Sequence, residues 1–64
     1  MSREFLHAYL KAQAAHKALH KLTKSFEEDL PNEVILNRLE AVERELQQVR
    51  DSIVLSAIKN CSFN

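Results

Sequence analysis

His16 and His20 stand four residues apart, the spacing that sets two imidazoles on one helical face where they can share a metal ion. No third ligand follows at metal spacing, and Lys17 and Lys21 beside them repel a cation. The expectation is therefore no metal site and no cofactor, with His16 as a hydrogen-bonding edge residue, His20 solvated and His7 likewise without chemistry. Cys61 is the only thiol. A cysteine nucleophile needs an activating base and an oxyanion hole, and a glycine-free chain offers no glycine-rich loop for the backbone donors. The carboxylates Glu40, Glu43 and Glu45 alternate with Arg38, Arg44 and Arg50, and Glu40 to Arg44 has the spacing of a helical surface pair. Charges so interleaved choose register and partner rather than catalyse. No convergent acid, base and nucleophile set is present, so the chain is expected not to be an enzyme.

Lys17, Lys21 and Lys24, with His20, form a basic strip on the first half of the chain. Such a strip can track a phosphate backbone, which makes an RNA- or DNA-binding helical-hairpin dimer the alternative function. Against it stand a formal net charge of +0 and a strip with no interleaved aromatic for base stacking.

The elements that must position these residues are helices. Ile35, Leu39, Val42, Leu46, Val49, Ile53 and Ser56 fall at alternating spacings of four and three, a heptad seam flanked by mostly polar residues. A stripe that narrow requires another helix to cover it. Toward the end of this helix Ile53, Val54, Leu55, Ala57 and Ile58 point around most of its circumference, so more than one neighbour is expected there. In the first half, Ala8, Ala12, Ala15, Leu19, Leu22 and Phe26 repeat at four and three, with Phe5, Tyr9 and His16 widening the stripe on one side and Leu6 and Leu10 on the other. Alanine in the middle of this row predicts a close helix crossing between bulkier ends.

Ser2 is a good N-cap for the first helix, and Glu4 suits its positive end. Glu27, Glu28 and Asp29 oppose continuation of that helix, and Pro31 favours the start of the next, with Leu30 or Asp29 as its cap and Glu33 in its first turn. The chain is thus expected to be a single all-α domain over 1–64: helix one over about 3–27, a turn over about 28–31, helix two over about 31–60 and a tail over 61–64. A two-helix antiparallel hairpin of coiled-coil type is favoured over one long helix kinked at Pro31.

Sixty-four residues bury too little surface for a comfortable single core, and a lone cysteine cannot staple one. Completion of a bundle by oligomerisation or by docking on another protein is expected. Residues 1 to 24 hold five basic groups against one acidic, a net of +4, and residues 25 to 64 hold four against eight, a net of −4. The two halves therefore attract, within one chain or between chains. The first twenty residues lack the apolar core of a secretory leader, and no apolar run has the length of a membrane span, so a cytoplasmic protein without a membrane partner is expected.

Phe26, Glu27, Asp29, Leu30 and Pro31, followed by Leu36, Asn37 and Glu40, resemble the acidic-Leu-Pro turn of the exonuclease VII small subunit, without the glycine usual before that turn. The plan of an Ala-rich first helix and an apolar end to the second is similar to the small cochaperones of type III secretion needle subunits. Both resemblances imply a non-enzymatic partner of a larger protein. The residues lead to the same expectation: a small protein-protein interaction module, whether adaptor, inhibitor or cochaperone, whose partner is itself, as a dimer or tetramer, or a larger helical protein.

Overall fold

A computed structural model describes residues 3–61 and shows an antiparallel helical hairpin. A 3-10 turn, Arg3–Phe5, leads into α1, Leu6–Glu27, and a short connection leads into α2, Asn32–Cys61. The Ser2 cap and the residues after Cys61 lie outside the described residues.

The turn has a specific backbone cause. Asp29 takes a left-handed conformation, φ 52°, the Leu30 N–H donates to the Ser25 carbonyl at 3.1 Å and the Asp29 N–H to the Phe26 carbonyl at 3.4 Å. These are the paired bonds of a Schellman stop, in which the chain turns out of the helix and its last carbonyls are satisfied. The stop position usually takes glycine; here an aspartate, one of the few residues that tolerates the left-handed region, stands in for it.

The second helix begins at the proline. The Pro31 carbonyl accepts from the Ile35 N–H at 3.1 Å and from Val34 at 3.0 Å, so Pro31 itself holds the position before the first helical residue, one place later than the Leu30 cap expected from sequence. Its fixed φ and absent N–H suit that place. Glu33 does lie in the first turn, where the helix end favours negative charge.

Along the hairpin the register is constant. The His7 ring nitrogen Nδ1 and the Ser52 hydroxyl lie 3.0 Å apart near one end, and Arg38 donates to the Lys21 carbonyl at 2.9 Å near the other. The residue numbers in each pair add to 59. Leu6 is therefore level with Ile53, and Leu55 and Ile58 run alongside and past the 3-10 turn, which is why both stay exposed.

The Cα trace measures 52 × 20 × 9 Å, two helices wide and one thick, and its radius of gyration is 15.1 Å against roughly 11 Å for a compact domain of this length. Accessible surface is 5304 Å², where a compact 7.4 kDa monomer would expose about 4,200 Å². Among the described residues the buried apolar side chains are Ala8, Ala15 and Val42.

Candidate functional site

The face that each helix turns toward the other pairs a row of small or branched apolar residues with a row that is largely polar. On α1 it consists of Ala8, Ala15 and Leu22 in one row and Lys11, Ala18 and Ser25 in the next, all buried or half-buried. On α2 the matching rows are Ile35, Val42, Val49 and Ser56, and Arg38, Glu45 and Ser52. Ser25 is 0% exposed, and its hydroxyl is satisfied by donating to the Lys21 carbonyl and accepting from Arg38. Among the described residues no buried side-chain nitrogen or oxygen is left unpaired. Polar rows here cost little because every member finds a partner or reaches solvent at the edge.

The heptad stripes read from the sequence share only one row each with this contact. Ala8, Ala15 and Leu22 face α2, whereas Ala12, Leu19 and Phe26 are exposed; Ile35, Val42 and Val49 face α1, whereas Leu39, Leu46 and Ile53 are exposed. Phe26 is 60% exposed and Leu46 54%. The exposed row stands one residue beyond the second contact row, Lys11, Ala18 and Ser25 on α1 and Arg38, Glu45 and Ser52 on α2, a turn of about 100° about the helix axis. The centre of each apolar stripe is consequently rotated about 50° from the direction of the neighbouring helix. Because the helices run in opposite directions, the same rotation along each chain turns both stripes toward one flank of the hairpin.

That flank carries Phe5, Ala12, Leu19 and Phe26 from α1 and its leading turn, and Leu39, Leu46 and Ile53 from α2. Tyr9 and Leu36 extend it at its edges, 43% and 58% exposed. Tyr9 is held there by a hydrogen bond from the Gln13 amide to its hydroxyl at 3.0 Å. Half-exposed side chains of this size leave roughly 100 Å² each, so the patch is on the order of 800 Å², above the few hundred usual on a monomer.

The opposite flank carries charged side chains among alanines, with Leu10 and Leu55 also exposed. A groove of about 280 Å³ is lined by Ala14, Lys17, Ala18, Lys21, Arg38, Ala41 and Glu45. A second, of about 300 Å³, is lined by His7, Lys11, Gln48, Asp51, Ser52 and Leu55. Lys17, Lys21 and Lys24 are all exposed, and Lys17 and Lys21 share their groove with the Glu45 carboxylate. His16 and His20 are both exposed, and among the described residues no three His, Cys, Asp or Glu side chains gather as a metal would need.

No family model, curated protein or solved structure matches this chain. The two resemblances noted above therefore rest on their residues alone.

Sequence periodicity did not single out Ser25, Arg38 or Ser52, which join the helices. The available signal was a pair of adjacent rows holding small residues, Ala8 and Ala15 in one and Ala18 and Ser25 in the other. Leu55 and Ile58 of the candidate interface are exposed at the free end of α2. No helix of the structure is long and apolar enough to cross a membrane.

Proposed function

We propose that this hairpin is a small, non-enzymatic protein-protein interaction module of the cytoplasm, an adaptor, inhibitor or cochaperone that works by laying its apolar flank against other helices. The observation that carries the reading is the row Leu39, Leu46 and Ile53, exposed beside Phe5, Leu19 and Phe26 on one flank, while the contact within the chain covers only the neighbouring rows. A water-exposed row of that kind gains about 2 kcal/mol per leucine when covered. Bundle completion, by self-association or by docking, is the use to which such a row is suited.

Leu46→Glu tests this directly. Leu46 is already half-exposed in the hairpin, so a glutamate costs the isolated chain little. Loss of association together with helicity supports the reading, and an unchanged oligomer with an unchanged melt contradicts it.

Lys17, Lys21 and Arg38 converge on one groove of the opposite flank, and they supply a second reading, binding of a nucleic-acid phosphate backbone. Its test is titration with duplex and looped RNA at low salt. Binding that weakens steeply as salt rises supports it, and no binding removes it.

A further inference from the structure

We infer that the apolar flank is covered by a second copy of this chain, related by a two-fold axis parallel to the helices, so that α1 of each copy lies on α2 of the other. The inference rests on the flank being an interaction surface and goes on to say what covers it. Four observations lead there.

The first is angular. Both apolar stripes are turned away from the contact within the chain by one row of side chains and to the same side, so each helix offers its own exposed row on one flank and a helix can be seated on each.

The second is register. An axis parallel to the helices preserves height, so α1 must meet α2 of the second copy in the register it has with its own α2, where facing residue numbers add to about 59. That leaves nothing to adjust. Phe5 falls opposite Ile53 of the second copy, Ala12 opposite Leu46 and Leu19 opposite Leu39, so the smallest residue of the row meets a leucine at mid-length. The same rule, applied one row outward, sets Tyr9 opposite Arg50 and His16 opposite Glu43. An aromatic face then meets a guanidinium, and an imidazole meets a carboxylate, at the rim where such pairs stay hydrated.

Charge is the third. α1 carries four lysines against one glutamate, and α2 carries four basic against five acidic residues. With this axis each helix has only helices of the other kind as neighbours. A two-fold axis across the helices would instead stack the lysine-rich α1 on its own copy.

Area is the fourth. A patch on the order of 800 Å² per copy is what each partner gives to a stable interface of ordinary size.

The experiment uses the full chain with Cys61→Ser and a single spin label at Glu27→Cys or, independently, at Glu33→Cys, both exposed and close to the turn. Solution mass is measured on the same samples. A dimer with a label-to-label distance of about 20–30 Å, set by interhelical spacing and label length, is the expected result. A dimer with labels more than about 40 Å apart has its turns at opposite ends and overturns the parallel axis. A helical monomer overturns the second copy while leaving the flank free to bind another protein, and a dimer whose mass and melt are indifferent to Leu46→Glu places association elsewhere and removes the reading of this flank as well.

Discussion

Arg38 reaches across the hairpin and donates from one guanidinium nitrogen to both the Ser25 hydroxyl and the Lys21 carbonyl, each at 2.9 Å. Ser25 is fully buried, three residues before the C-cap Glu28, so this contact locks α2 onto the end of α1 where the chain reverses.

Arg38→Met keeps the length of the side chain and removes the donors. Its expected cost is about 1–2 kcal/mol, since bonds from a charged donor are worth more than neutral ones but the site is only half-buried. Thermal unfolding at a fixed protein concentration measures it, because association and folding are linked. Arg38→Ala, which also removes the stem that packs along α1, should cost more.

Asp29 holds a left-handed conformation that glycine adopts without penalty. Asp29→Gly should therefore stabilise the hairpin by up to about 1 kcal/mol. The gain appears as a higher melting temperature with the same oligomer; a lower one would mean that the aspartate side chain contributes more than its backbone costs.

Ala15 is 6% exposed at the middle of the contact, facing Val42 and its neighbours on α2. Ala15→Leu should force the helices apart and destabilise by about 1–3 kcal/mol. Far-UV circular dichroism during denaturant unfolding reads this out. Ala12→Leu, on the exposed row, would leave the isolated hairpin intact, and any loss of association it causes reports crowding on the flank.

How much of this was legible in the sequence depends on which residue carries each feature. The two helices and their break could be read because Glu27 to Pro31 concentrates helix-stopping chemistry in five residues. The apolar rows could be read because Leu39, Leu46 and Ile53 recur every seven. The angle at which the helices meet could not. Periodicity marks where apolar side chains lie on a helix but not which neighbour they face, and here the contact within the chain uses Arg38, Glu45 and Ser52 in place of the leucine row. The left-handed Asp29 was hidden for a related reason: three acidic residues in succession suggest a helix end without saying which one makes the turn.

Lys17→Gln with Lys21→Gln changes only the flank opposite the apolar row. Solution mass and melting temperature should stay within the small range usual for surface changes, about ±0.5 kcal/mol per site. Any salt-dependent RNA binding should disappear. A dissociated oligomer would place the association surface on that flank instead.

The most direct test of the apolar flank as an interaction surface is solution mass by light scattering across a dilution series, with circular dichroism on each sample, for the unaltered chain and for Leu46→Glu. A helical particle of twice 7.4 kDa that falls to a poorly helical monomer on substitution is the expected result. An oligomer of equal mass and equal helicity for both proteins would contradict it.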